Sequence, residues 1–267
     1  MLNTHENALK KHSKSFYLAG LLLPRATLLD VRRLYAYCRK MDDAVDEYNR
    51  PEDVLREKNA LKDGQSEVQG LIQKHNIPPS VVDAFLATLI ADVAPVNVKT
   101  EEELMAFCYG VAGTVGVMMC HVLGTKNPQA LYHAIDLGIA MQLTNIARDR
   151  AEDEANNRHY FPQGLTQVDL VHMAESYYTS GINGTGFLPF AVRPSILAAA
   201  LVYREIGQKI LQNPDGAYTT RMVVPHHKKL ICAFKGGLKA IAKRPPQVHD
   251  ACLHQLILKF PCTHNGK

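Results

Sequence analysis

Residues 104–123 form an almost uncharged run of twenty positions, interrupted only by His121, and contain Gly110, Gly113 and Gly116. By length this run could span a bilayer. Three glycines, the lack of an aromatic belt and the absence of any other support for a membrane topology argue against a span. A helix that is apolar all round is then a central, buried helix, and the rest of the chain must fold around it. Thr100-Glu-Glu-Glu103 stands just ahead and reads as the capping box that starts it. Each glycine costs a helix roughly 1 kcal/mol in propensity. Something must therefore approach closely on the glycine side, either another helix or an apolar ligand.

The remaining pattern is also helical. Residues 5–18 read as an N-terminal helix with a polar face. Thr27 or Asp30 can cap a helix that runs to about Tyr48. Pro51 opens an exposed helix covering 52–75. After Pro78-Pro79-Ser80, the residues Val81, Val82, Phe85, Leu86, Leu89 and Ile90 repeat with helical periodicity. Asn127-Pro128 starts a helix from Gln129 to about Asn156. Two more are expected at about 166–179 and 187–212, with a turn at 183–186 between them. Pro214-Asp-Gly216 makes another turn, and Arg221 opens a basic helix to Arg244. Pro245-Pro246 ends it before a last amphipathic stretch. No strand-type alternation extends beyond a few residues. The expected architecture is all-α, a single domain over 1–267.

Composition narrows the partners. Lys plus Arg number 30 against 26 Asp plus Glu, too small an excess to argue for nucleic acid. The excess is local: Arg221, Lys228, Lys229, Lys235, Lys239, Lys243 and Arg244 stand in one acid-free segment. Such a segment keeps a surface solvated, and it could also make peripheral contact with an anionic membrane. Six cysteines show no Cys-x-x-Cys pairing and the N-terminus has no apolar signal core, so free thiols in a reducing cytoplasm are expected. Cys252-Leu-His254 and Cys262-Thr-His264 do not have zinc-finger spacing.

Two acidic stretches, about a hundred residues apart, carry the chemistry. The first contains Tyr35, Arg39, Asp42, Asp43 and Asp46; the second contains Gln142, Asn145, Arg148, Asp149 and Asp153. In each, two aspartates stand four apart, which places both carboxylates on one helix face. Like charges at that spacing weaken a helix. Each pair is flanked by apolar residues, which points to a cavity rather than a solvated face. A hard cation such as Mg²⁺ takes carboxylate oxygens together with substrate phosphates. Near the N-terminus His12, Ser13, Lys14 and Ser15 cluster groups that can contact phosphate oxygens.

In this order, Tyr-Ala-x-Cys-Arg-x-x-Asp-Asp-x-x-Asp, Ala-Gly-Thr-Val-Gly and Gln-Leu-Thr-Asn-Ile-x-Arg-Asp-x-x-Glu-Asp resemble the motifs of the squalene/phytoene synthase family. Lys11-His-Ser-Lys-Ser-Phe16 and Arg158-x-Tyr160-x-Pro162 extend the resemblance to about residues 9–240. The resemblance implies an isoprenoid-synthase bundle that joins two prenyl diphosphates head to head, geranylgeranyl or farnesyl, by way of a cyclopropylcarbinyl diphosphate. It implies Mg²⁺, with Mn²⁺ as an alternative, held by Asp42, Asp46, Asp149 and Asp153 with Asn145 in support. NADPH is not expected to be required. Arg39 and Tyr160 would act beside the metals. His12, Ser13, Ser15, Phe16, Tyr35, Phe107, Gln142, Arg148, Arg158 and Arg221 would contact or support the substrates.

One residue departs from the family pattern. Phe107 stands where the family usually has a tyrosine assigned to the second ionisation. The ring is kept for cation–π stabilisation, but the hydroxyl is gone. Tyr109, at a different helical angle, is not expected to replace it. The leading reading is a phytoene-type synthase. The alternatives are a presqualene diphosphate or squalene-forming synthase on farnesyl diphosphate, and a non-catalytic helical assembly factor of the same fold.

Overall fold

The computed structural model describes residues 19–264, apart from Ala94 and Gln247. Its helices are α1 (Arg25–Asp46), α2 (Pro51–Lys62), α3 (Gln69–His75), α4 (Pro79–Ala91), α5 (Glu101–Val122), α6 (Gln129–Ala155), α7 (Gln167–Gly184), α8 (Arg193–Gln212), α9 (Pro214–Thr219) and α10 (His226–Ala242). Among the described residues, extended pairing is limited to a parallel two-residue bridge, β1 (Val96–Asn97) beside β2 (Arg158–His159). The all-α expectation holds.

Helix α6 is the axis of the bundle and packs on α5, α7 and α8. Asn127 Oδ1 accepts the Gln129 N–H at 2.9 Å and fixes its start. Ile135, Ile139, Leu143 and Ile146 are then buried along its length. Helix α5 begins at the expected box: Thr100 Oγ1 accepts the Glu103 N–H at 3.2 Å, and Glu103 Oε2 accepts the Thr100 N–H at 3.4 Å. Its middle turn, Tyr109–Gly113, is wound as a π-helix. One side of α5 buries Leu104, Met105, Val117 and Met118. The other side presents Phe107, Val111, Val115 and Met119 to an internal cavity. The bilayer-length apolar run is therefore a cavity wall.

The glycines allow α5 and α6 to touch backbone to backbone. A Cβ on Gly116 would sit 2.2 Å from the Ala134 carbonyl oxygen, and one on Gly138 would sit 2.2 Å from that of Ala112. Gly116 and Gly138 also line the cavity. Close helix packing and a ligand-facing wall are thus both present.

Several boundaries differ from the sequence expectations. The helix expected over 52–75 is two helices. Gly64, at φ +69°, turns the chain after α2, and the Glu57 carboxylate accepts the Glu67 N–H at 3.0 Å within the connection. Helix α7 continues to Gly184, because Gly181 and Gly184 let it close on Leu137 and His133 of α6. The next helix starts at Arg193 with Pro194 in its first turn, after two short 3₁₀ turns. Pro214-Asp-Gly216 lies inside α9, where Asn213 Oδ1 accepts the Gly216 N–H at 3.1 Å. The basic helix begins at His226, so Arg221 belongs to a non-helical connection. The final stretch is a 3₁₀ helix, Ala251–Ile257.

Candidate active site

Helices α1 and α6 each end in an acidic ladder: Asp42 and Asp46 on α1, Asp149 and Asp153 on α6. A helix C-terminus already carries partial negative charge, so carboxylates are poorly placed there without cations. Both ladders open onto one cavity of about 490 Å³. Four arginines enter it. Arg39 pairs with Asp42 at 3.0 Å and with Asp43 at 2.5 Å, and Arg158 pairs with Asp46 at 2.5 Å. Arg148 Nε donates to Asp149 at 2.7 Å, and Arg221 Nε meets the same carboxylate at 3.1 Å. The non-helical path of residues 221–225 is what lets Arg221 reach back to α6.

These pairs leave the ladders short of positive charge. Burial, then the neighbouring Asp149, pushes Asp153 up to about 7. Burial and the Asp46 carboxylate raise Asp42 as well. Asn145, one turn before Asp149, donates to Gln142 Oε1 at 3.3 Å, while its own Oδ1 is buried without a hydrogen-bond partner among the described residues. Crowded carboxylates beside an orphaned amide oxygen form a hard-oxygen donor set, and they fit a divalent cation of the Mg²⁺ kind.

Phe107 and Tyr160 stack in the cavity wall with ring centroids 4.6 Å apart. The Tyr160 hydroxyl donates to Asp92 at 2.8 Å. Burial pushes Asp92 up to about 7. The β1–β2 bridge fixes this arrangement: Val96 N–H donates to the Asn157 carbonyl at 3.0 Å and Val98 N–H to that of His159 at 2.8 Å. The connection after Asp92 is thereby tied to the segment carrying Arg158 and Tyr160. Tyr109 lies elsewhere. Its buried hydroxyl donates to the Pro261 carbonyl at 2.6 Å and its ring stacks on Phe260.

Tyr35, Gln142, Asn145, Arg148, Arg158, Tyr160, Phe107 and Arg221 all line this cavity together with Arg39 and the four aspartates. His12, Ser13, Ser15 and Phe16 lie outside the described residues. Asp92 and Tyr203 also line it and were not singled out by sequence. The one hint for Asp92 was its place just after the apolar run 85–90, where a carboxylate also suits an ordinary helix end; Tyr203 sits in an ordinary helical pattern. Beyond the polar mouth the walls are mainly apolar: Val111, Val115 and Met119 from α5 face Leu137 and Met141 from α6. The lining follows α6 from Asp153 to Ala130, a run of about 34 Å at 1.5 Å per residue.

Carboxylates at two helix ends call for cations bearing an anionic group, and the long apolar body calls for a hydrocarbon tail. The all-α fold that joins the two is that of the isoprenoid synthases. Residues 9–169 match the squalene/phytoene synthase family. The 15-cis-phytoene synthase of Enterobacter agglomerans is 32% identical over 87% of this chain and 93% of its own. That of Paracoccus sp. (strain N81106 / MBIC 01143) is 31% identical over 91% and 93%. Among solved structures, a dehydrosqualene synthase in complex with ligand superposes with a TM-score of 0.80 at 26% identity, covering 90% of this chain and 96% of that one. A squalene synthase from Alicyclobacillus acidocaldarius shares the fold at a TM-score of 0.68 and 19% identity, covering 81% and 94%. The chain belongs to the squalene/phytoene synthase family and is a prenyltransferase.

Proposed function

We propose that this cavity condenses two prenyl diphosphates head to head to a phytoene-type hydrocarbon, with geranylgeranyl diphosphate as the substrate. The observation that carries the reading is the meeting of both acidic ladders and four arginines at the mouth of one long apolar cavity. Relatives named phytoene synthase support the product class. Asp42, Asp46, Asp149, Asp153 and Asn145 would hold Mg²⁺, or Mn²⁺ in its place. Bound there, the metal supplies Lewis-acid neutralisation of the leaving diphosphate.

The chain's own residues supply the rest. Arg39, Arg148, Arg158 and Arg221 exchange carboxylate partners for diphosphate oxygens and hold the leaving group. Loss of diphosphate leaves an allylic cation, which the C2–C3 double bond of the second substrate attacks. Ring closure with proton loss gives the cyclopropylcarbinyl diphosphate. A second ionisation, rearrangement and proton loss give the triene. The stacked rings of Phe107 and Tyr160 offer π faces to the cations at the border between mouth and tail. Val111, Val115, Met119, Leu137 and Met141 exclude the water that would quench them.

A second reading, favoured by Phe107 alone, stops the reaction at the cyclopropylcarbinyl diphosphate. Tyr109 is engaged with Pro261 and cannot supply the missing hydroxyl. Product analysis separates the readings. The protein is incubated with Mg²⁺ and farnesyl or geranylgeranyl diphosphate, with and without NADPH, and extracts are read by mass spectrometry before and after phosphatase. The expected product is phytoene from geranylgeranyl diphosphate without NADPH. An alcohol with twice the substrate's carbons, C30 from farnesyl or C40 from geranylgeranyl diphosphate, seen only after phosphatase would establish the truncated reaction. No head-to-head product from either substrate would leave the assembly-factor reading.

In the same reading the enzyme works in a reducing cytoplasm, peripheral to the inner face of a membrane. Support comes from α10. Its Cys232, Gly236 and Ala240 pack inward while Leu230, Phe234, Leu238 and Ile241 form an exposed apolar stripe, Phe234 by 69% and Ile241 by 71%. Lys235 and Lys239 are exposed beside it. An apolar stripe flanked by lysines suits an interface with anionic lipid. All six thiols are free.

A further inference from the structure

The last described residues of the chain return to α6 far from the acidic ladders. They meet it at Asp136, thirteen residues ahead of Asp149 and about 20 Å away along the helix. The Tyr177 hydroxyl of α7 donates to the Leu253 carbonyl at 2.9 Å and helps seat this segment.

Asp136 is fully buried and both its oxygens are engaged. His249 Nε2 lies 2.6 Å from Oδ2 and His254 Nε2 lies 3.0 Å from Oδ1. Ser180 also donates its hydroxyl to Oδ2. An ionised carboxylate only accepts, so both imidazoles must carry their protons on Nε2. Their Nδ1 atoms are left as lone-pair donors. His254 Nδ1 is buried and has no hydrogen-bond partner among the described residues. His249 Nδ1 faces His264 Nε2 at 2.7 Å. One ring nitrogen from each of His249, His254 and His264 lies within 4.8 Å of one from each of the others. Tyr132 stacks on the His264 ring at 4.1 Å and backs the group.

We propose that His249, His254 and His264 form a structural site for a transition-metal ion of the zinc class, with Asp136 orienting two of the three imidazoles. Three converging imidazoles are a borderline-soft nitrogen set that suits zinc and disfavours Mg²⁺. A carboxylate on the far nitrogen of a ligating histidine is the usual device that fixes its tautomer and raises its basicity. Metal–nitrogen bonds of about 2.0–2.1 Å in tetrahedral geometry need nitrogens roughly 3.3 Å apart, so a bound ion would draw the rings together from a spacing of up to 4.8 Å. Water completes the shell. The ion would staple the end of the chain to α6 and α7. His133 lines the cavity and lies edge-on to His249 at 4.8 Å, so the staple also braces the cavity floor.

The test is metal binding by the full chain. Protein stripped with chelator is titrated with Co²⁺ or Zn²⁺ in excess Mg²⁺, which keeps the acidic ladders occupied. Expected are one ion retained per chain after desalting, the visible d–d absorption of a low-coordinate nitrogen site with Co²⁺, and a zinc-dependent rise in Tm of about 5 °C or more at saturation. His264→Gln, at the half-buried edge of the site, should keep the metal-free Tm and lose both the absorption and the zinc response. His249→Gln serves as a second variant, with folding checked by circular dichroism. Cys252→Ser and Cys262→Ser should bind like wild type. No retained metal and no Tm response in wild type would overturn the site. So would binding that survives both histidine substitutions, or binding lost with either cysteine.

Discussion

At the scale of single residues, the proposed reaction rests on the two ladders. Asp149→Ala removes a carboxylate shared by Arg148 and Arg221 and should lower kcat by about 10³-fold or more, since several kcal/mol of charge stabilisation go with it. Circular dichroism should show the helical fold unchanged. Phe107→Tyr should raise the share of hydrocarbon over cyclopropylcarbinyl diphosphate, read by mass spectrometry; an unchanged ratio would detach Phe107 from the later step. Asp153 and Asp92 are both pushed up to about 7 by burial. A carboxyl group raised in the folded state stabilises fully below its ordinary value and loses that contribution as pH rises through the raised one. The metal-free protein should therefore lose Tm between about pH 4 and pH 8, and the gain in Tm from added Mg²⁺ should grow over the same interval. Thermal melts with chelator and with Mg²⁺ check both. The ladder residues were legible because the pair of aspartates four apart occurs twice, each time beside apolar flanks, which is odd without a cation. Asp92 was not singled out, because one carboxylate after an apolar run looks like an ordinary helix end until Tyr160 is seen to reach it.

At the scale of elements, α5 and α6 were readable as helices from apolar length, a capping box and an Asn-Pro start. Their mutual contact was only half readable: glycines announce a close approach without naming the neighbour. Gly138 now has one, the Ala112 carbonyl. Gly138→Ala should cost about 2 kcal/mol or more through overpacking, a fall in Tm of roughly 4–8 °C by calorimetry. Two of the breaks that sequence reasoning placed wrongly share a cause. Helix α7 runs on through Gly181 and Gly184, and the basic helix starts late at His226, because tertiary contacts with α6 override local propensity. The π turn of α5 had no signal at all in the pattern of apolar residues.

At the scale of the molecule, motifs a hundred residues apart converge, and the resemblance of those motifs to one family anticipated that convergence better than periodicity could. Periodicity cannot say which helix ends share a mouth. The exposed face of α10 was visible in sequence as a basic amphipathic segment, and which apolar residues it exposes emerged once Cys232, Gly236 and Ala240 were seen to face α8. Phe234→Ser with Leu238→Ser should abolish co-sedimentation with anionic vesicles and leave turnover in detergent unchanged. Retained sedimentation would remove the membrane reading. The backbone contact at Gly116 and Gly138 has a further consequence for anyone who would redesign this catalyst. At that level the bore of the cavity is set by main chain and cannot be widened by trimming side chains. Selection for longer or shorter products must act through the volumes of Val111, Val115, Met119, Leu137 and Met141 on either side, so a small library at those positions samples most of the accessible change.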